Sequence, residues 1–501
     1  MNANPPPRDP PSLSARVTLG VAVTWGAMMM TRTFGLISIA FLARLLTPED
    51  FGLMALATFI TGGVTAALGR HFETALIRTV QPSPRHVGTA FALAILWGVI
   101  AAALVFAAAA PAAMLLGAPD LELALRWLAL CPLFEGFRNP NLTLAEKELR
   151  FKRPMLVEVG ARFATLLFSV AFALILRDYW AMVIGLIAYS AANALLSHVA
   201  ADAAPRPTLA LWREFLAFGG WATGSSLAIY LNRRLDRAIV GAQFGLADVG
   251  RYRVGDDIAS MSTSEIAWPL MRAVYPGLAK RATDLETLRR TYRKSQQASL
   301  FVLLPMGVLV ALVSKDLIMV LTGPKWLEAA TVLAAFAPIL GLGGLTLGVQ
   351  QLLYIRNEVH RAFYRDVLLL TALVPALLLG AAAGGFEGLI VARIGMMTLS
   401  IILTLAIAAK ILQEAWYIPI VSGWRSLASC GLMIAAVWGF HHLVPFQPSL
   451  LDALYRLAIG GILGWTCYLA LHYVLWRLAG RPDGPESLVI QMVQRLRGKL
   501  R

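Results

Sequence analysis

Nine arginines interrupt long apolar stretches of this 501-residue chain: Arg32, Arg70, Arg126, Arg138, Arg162, Arg233, Arg234, Arg237 and Arg393. No lysine does. A guanidinium presents a planar fork of donors that matches phosphate or carboxylate oxygens two at a time, whereas an ammonium is a flexible point charge. A set made only of arginine fits repeated contact with phosphate oxygens better than a simple charge bias. Arg32 has no acid within four positions on either side. Arg126 is likewise read as lacking a local partner, so both are expected to face a ligand. Arg233 and Arg237 share one helix face. Other arginines have carboxylates within reach. Glu158 precedes Arg162 by one helical turn, Asp236 adjoins Arg237, and Glu73 and Glu135 lie near Arg70 and Arg138 in depth. Asp256, Asp257 and Glu265 follow in the next apolar stretch. They would either hold a coupling cation or proton or neutralise the preceding arginines.

The elements that position these groups follow from composition. Apolar residues make up 58% of the chain and charged ones 15%, against roughly 25% charged in an ordinary soluble domain. With a mean hydropathy of +0.66, the solvent that accepts such a surface is lipid, so the chain is read as an all-α, polytopic membrane protein. A helix crosses roughly 30 Å of hydrocarbon in about 20 residues. By that measure about fourteen spans are expected, near 17–43, 52–77, 87–115, 121–145, 154–176, 179–201, 214–242, 250–275, 296–321, 327–354, 364–384, 387–409, 424–444 and 452–476. The first is too long and too polar at its flank for a signal peptide.

The basic residues orient these spans. With both termini cytoplasmic, 28 of the 44 lysines and arginines fall in inner connections and seven in outer ones, as the positive-inside rule requires. On this topology Arg70, Arg138 and Arg162 belong to the inner third of the membrane. Arg126, Arg233 and Arg237 belong to the outer third, giving a cationic track across the first half of the chain. The net charge of +15 is thus a membrane-orientation signal, and no nucleic-acid partner is expected. The loops are too short for a soluble domain with its own core.

Six spans return the chain to its starting side, so a duplicated six-helix unit is expected. The expected organisation is a disordered cytoplasmic tail (1–14), an N-lobe of spans 1–6 (15–204) and a C-lobe of spans 7–12 (205–413). Two appended spans (414–480) and a basic cytoplasmic tail (481–501) complete it. At one offset Asp50 matches Asp248, Gly52 matches Gly250 and Gly26 matches Gly224. The small-residue pairs Gly220/Gly224, Gly344/Gly348 and Gly460/Gly464 would permit close helix approach. Cys131, Cys430 and Cys467 offer no paired metal spacing. No Walker loop, nucleophile elbow or kinase set is present. No cofactor, metal or catalytic residue is expected, and transport would run on gradients or on the substrate's own concentration difference.

The stretch Leu42-Ala43-Arg44-Leu45-Leu46-Thr47-Pro48-Glu49-Asp50-Phe51-Gly52 resembles the polysaccharide transporters of the MOP (multidrug/oligosaccharidyl-lipid/polysaccharide) exporter superfamily. So do Val240–Tyr252 and Pro269–Pro276. The resemblance is to the Wzx-type flippases, in particular the exopolysaccharide branch that serves polymers such as colanic acid. It implies a bacterial inner-membrane protein with two six-helix lobes around a cationic cavity. Such a protein would move undecaprenyl-pyrophosphate-linked oligosaccharide repeat units to the outer leaflet by alternating access, for exopolysaccharide or lipopolysaccharide biosynthesis. Glycan polymerase and chain-length machinery would be its partners, beside the lipid-linked substrate and membrane lipids. In related lipid II flippases an extra helix pair lines a lipid groove. The alternatives are a cation-coupled multidrug exporter, which would want an acidic cavity, and a glycan polymerase or ligase, which would need a sizeable outer loop.

Overall fold

The computed structural model describes residues 13–69, 72–216, 220–279, 284–356, 358–482 and 484–486; side chains at 13–23, 216, 220–222, 264–279, 355 and 359 lie outside the description. Among the described residues there is no strand. The chain forms two compact units, Met1–Tyr230 and Leu231–Arg501.

The first unit contains α1 (Leu13–Leu45), α2 (Pro48–Leu68), α3 (Phe72–Arg78), α4 (Pro84–Leu115), α5 (Pro119–Leu128), α6 (Leu130–Gly136) and α7 (Asn141–Lys147). After these come α8 (Lys152–Leu176), α9 (Trp180–Ala200), α10 (Trp212–Leu216) and the start of α11 (Gly220–Phe244). The rest of α11 opens the second unit. It continues with α12 (Leu246–Ala279), α13 (Leu285–Leu312), α14 (Ser314–Leu321), α15 (Ala329–Leu342) and α16 (Val349–Ile355). The last four helices are α17 (Val359–Leu412), α18 (Ile418–Ser422), α19 (Trp424–Leu443) and α20 (Leu450–Leu478).

Ten described helices or helix pairs are long and apolar enough to cross a membrane. One is α17, whose 54 residues would extend roughly 80 Å if straight. It instead doubles back at Gly384 and Gly385, the latter at φ +61°, and so accounts for two expected spans. Three expected spans fall outside that set, each for a physical reason. The stretch 121–145 breaks into α5, α6 and α7; the break before α7 falls at Pro140, which cannot donate a helical hydrogen bond and disfavours helical geometry at Asn139. The helices α11 and α12 are continuous but carry the charges of the site described below.

Two glycine crossings repeat the same geometry in the two units. A Cβ on Gly98 of α4 would lie 2.7 Å from the Pro132 carbonyl oxygen, and one on Gly136 of α6 would lie 2.7 Å from that of Ala94. In the second unit, Gly307 of α13 meets the Ala337 carbonyl oxygen at 2.2 Å and Gly341 of α15 meets that of Leu303 at 2.7 Å. The blocking carbonyl is each time four residues before the partner glycine. This is the signature of one helix-pair design used twice.

The motif ending the first span has a structural task. Thr47 and Asp50 form a capping box at the start of α2, with the Thr47 amide donating to Asp50 Oδ2 at 2.9 Å. Such a pair satisfies two orphan donors of the first helical turn. The other oxygen, Oδ1, accepts from the Tyr179 amide at 3.1 Å and so ties in the α8–α9 turn. Its counterpart Asp248, in the first turn of α12, pairs instead with Arg251 at 2.9 Å.

The appended helices α19 and α20 pack on α13 through Leu300, Leu304, Leu309, Met433, Val437 and Tyr468. Buried ion pairs pin both ends: Arg456 to Asp316 at 2.8 Å, and Arg425 to Glu486 at 2.6 Å. Glu486 also receives His472 at 2.8 Å.

Candidate functional site

In the first unit the candidate arginines occupy separate environments. Arg32 is half-buried on α1. Arg126 is exposed on α5, paired with Glu122 one turn earlier and set over the Phe106 ring at 5.5 Å. The expectation that Arg126 lacks a local partner is therefore corrected: its partner sits at the ordinary i,i+4 spacing. Arg138 stands in the turn between α6 and α7, created by the break at Pro140, with Glu73 at 3.6 Å and Glu146 at 4.0 Å. Arg162 pairs with Glu158 at 3.0 Å and lies 4.6 Å from the centre of the Tyr189 ring, whose hydroxyl donates to the same carboxylate. Arg70 lies outside the described residues, as does the side chain of Glu265.

The second unit gathers its charges into one network across α11, α12 and the second half of α17. Asp236 is 2% exposed and accepts from the Tyr252 hydroxyl at 2.7 Å, while Arg393 Nε lies 3.0 Å away. Tyr252 is fully buried, its ring edge-on to Phe336. Arg393 also donates to the Asn232 carbonyl oxygen at 3.1 Å. The next residue, Arg237, is buried and reaches Asp256 and Asp257 of α12, both at 2.9 Å. Asp257 is shared further, with Arg253 at 3.4 Å and Arg234 at 3.6 Å. Arg233 is exposed and has no ion-pair partner among the described residues.

Four guanidinium groups and three carboxylates are thus linked here among the described residues, with exposed Arg233 next to Arg234 on α11. Charges in a low-dielectric site persist only when paired. Here the carboxylates are saturated and positive charge is left over at the exposed edge, at Arg233 and Arg234. That edge can receive an anion with two or more oxygens in fork geometry.

The expected spans 250–275 and 387–409 contain Arg253 and Arg393, and the structure supplies their partners. Arg253 lies within α12, which starts at Leu246 and runs on without a loop. Arg393 is drawn inward by Asp236, a residue on a different helix. The signal for Arg253 was its i,i+4 spacing to Asp257; for Arg393 no local signal exists, because its partner is distant in sequence.

Among the described residues the chain is a strand-free bundle of membrane-length helices with a repeated helix pair, and solved structures show which fold it is. The chain matches a structure of the lipid II flippase MurJ with a TM-score of 0.71, at 12% identity, covering 92% of this chain and 100% of that one. It matches a multidrug resistance MATE family transporter of the MOP superfamily with a TM-score of 0.56, at 14% identity, covering 76% and 95%. The sequence profile of the polysaccharide biosynthesis protein family matches residues 41–331, and the chain belongs to this family. Among its relatives, the succinoglycan biosynthesis transport protein ExoT of Rhizobium meliloti is 24% identical over 68% of each chain. The lipopolysaccharide biosynthesis protein WzxC of Escherichia coli is 23% identical over 74% of this chain and 76% of its own. The protein is a multi-pass membrane protein.

Proposed function

We propose that the protein is a bacterial inner-membrane flippase, with both termini cytoplasmic, for undecaprenyl-pyrophosphate-linked oligosaccharide repeat units. It carries them from the cytoplasmic to the periplasmic leaflet by alternating access, and delivers them to glycan polymerase and chain-length machinery. The observation that carries this reading is the excess of guanidinium over carboxylate at exposed Arg233 and at half-buried Arg234, which shares Asp257 at 3.6 Å. A pyrophosphate offers the anionic oxygens that such a surface lacks. Arg32, Arg70, Arg126 and Arg138 are proposed to provide further anion contacts along the path. Arg237 acts in this reading by holding Asp256 and Asp257, since its own guanidinium is buried and filled. The names of the relatives, which place them in succinoglycan and lipopolysaccharide biosynthesis, agree with a glycan cargo. A cation-coupled drug exporter fits less well, because Asp256 and Asp257 are bound by arginines.

The test is a strain carrying Arg233→Ala or Arg32→Ala, with prenyl-linked intermediates analysed by leaflet. Each variant is expected to accumulate repeat units on the inner leaflet at normal protein level, with Lys at the same position restoring export only in part. Wild-type export from both alanine variants would sink the reading.

A further inference from the structure

The ion pairs around α11 and α12 are unequal. Between Arg237 and its two aspartates the contacts are 2.9 Å and closed, with Arg237 only 5% exposed. On the outer side Asp257, 29% exposed, faces Arg234, 40% exposed, at 3.6 Å. That is longer than a charge-assisted hydrogen bond of about 2.7–2.9 Å. Arg253 approaches the same carboxylate at 3.4 Å. Asp256, one residue earlier, pairs with Arg237 and not with either of these outer arginines. One carboxylate thus serves three guanidiniums, and its contact with Arg234 is the longest of the three.

An anion site in a membrane protein has to be stable when empty, and bare guanidiniums there are costly. A carboxylate and a phosphate present the same pair of acceptor oxygens to an arginine fork. We propose that Asp257 is a built-in place-holder for the anionic ligand. It occupies Arg234 and Arg253 in the empty site and yields them to a diphosphate group, then takes them back when the ligand leaves. The inference rests on the pyrophosphate reading above and deepens it. Asp257 is then a specificity-determining residue. It keeps a single negative charge from binding, because such a ligand gains nothing over the resident carboxylate, and it lets a diphosphate with its greater charge displace it. It also limits affinity, which favours release on the far side.

The experiment uses the full chain in lipid nanodiscs and two probes, geranyl diphosphate and inorganic pyrophosphate. Removing the competitor with Asp257→Asn is expected to tighten binding about tenfold, within the coupling range of close charge pairs. Asp256→Asn should change affinity less than about twofold, and Asp257→Glu should stay near wild type, since these keep the outer carboxylate. Tightening toward both probes identifies the diphosphate group alone as the displacing ligand. Tightening toward geranyl diphosphate only identifies a lipid-borne one. If Asp257→Asn does not fold, Asp257→Asn/Arg253→Gln, which has the net charge of wild type, compared with Arg253→Gln alone carries the same expectation.

Binding by Asp257→Asn that is equal to or weaker than wild type, at a normal melting temperature, overturns the place-holder while leaving the pyrophosphate reading intact. If no protein, wild type or variant, binds either probe, both fall.

Discussion

Arg393 and Asp236 meet with Nε 3.0 Å from Oδ2, joining the second half of α17 to α11 through a contact almost closed to solvent. The same oxygen accepts from Tyr252 of α12, so three helices converge on one carboxylate. Removing it strips the half-buried Arg393 of its carboxylate and the buried Tyr252 hydroxyl of its acceptor, which costs about 1–3 kcal/mol. Asp236→Ala is therefore expected to lower the melting temperature of the solubilised protein and its level in the membrane. Asp236→Leu combined with Arg393→Met should recover much of that loss, because apolar isosteres of a buried pair are often neutral. Thermal unfolding of the three proteins checks this; equal melting temperatures would show the pair to be dispensable.

The paired glycine crossings make a ranked prediction. Adding a methyl to Gly307 drives it to 2.2 Å from a backbone carbonyl oxygen, to Gly98 or Gly136 to 2.7 Å, and to Gly224 into open space. Backbone cannot swing aside as a side chain can, so the first three are overpacking substitutions, at about 1–3 kcal/mol each. Gly307→Ala should be the most damaging, Gly98→Ala and Gly136→Ala intermediate, and Gly224→Ala nearly silent. Folded yield after detergent extraction, compared across the four, reads the order directly.

Glu486, beyond the end of α20, supplies a pH dependence. Burial pushes its carboxyl up, but the hydrogen bond from His472 and the nearby Arg425 outweigh this and hold it below its ordinary value of 4.5. A depressed carboxyl contributes stability above its unfolded value and loses it as pH falls through the lower folded one. The segment carrying Glu486 should thus stay docked at neutral pH and release only below about pH 4.5. Limited proteolysis after Pro482 is the measurement. Glu486→Gln should be cleaved at neutral pH as fast as wild type is in acid.

Much of this was legible in the chain itself. The apolar runs and basic loops announced the membrane and the expected spans, because hydropathy and the positive-inside rule act on local sequence. The pair Glu158 and Arg162 was legible for the same reason: it closes within one helical turn. Glu122 and Arg126 have the same spacing, and the span-scale reading passed over them. What stayed hidden depends on contacts between helices. Nothing near Arg393 names Asp236, and nothing near Gly98 names Gly136. The break at Pro140 was visible in the sequence, flanked by Arg138, Asn139 and Asn141, but the span-length count ran through it.

The attachment of the last helix pair rests on a second buried charge pair, and it gives the most demanding test. Arg456 of α20 and Asp316 of α14 are 5% and 1% exposed in their side chains and 2.8 Å apart. Arg456 also donates to the Val444 carbonyl oxygen and lies 5.7 Å from the centre of the Phe446 ring, while His441 stands 3.6 Å from the same aspartate. The arginine therefore gathers the end of α19, the following loop and α14 around one guanidinium. Asp316→Ala or Arg456→Ala should each destabilise by about 3–5 kcal/mol, since each strands a buried charge. The double alanine variant should cost much less than the sum, because no charge is left unpaired. If α19 and α20 are held mainly by their apolar contact with α13, the melting of the single variants will match wild type. If the ion pair holds them, a cysteine placed at exposed Leu451 will label faster in either single variant than in the double.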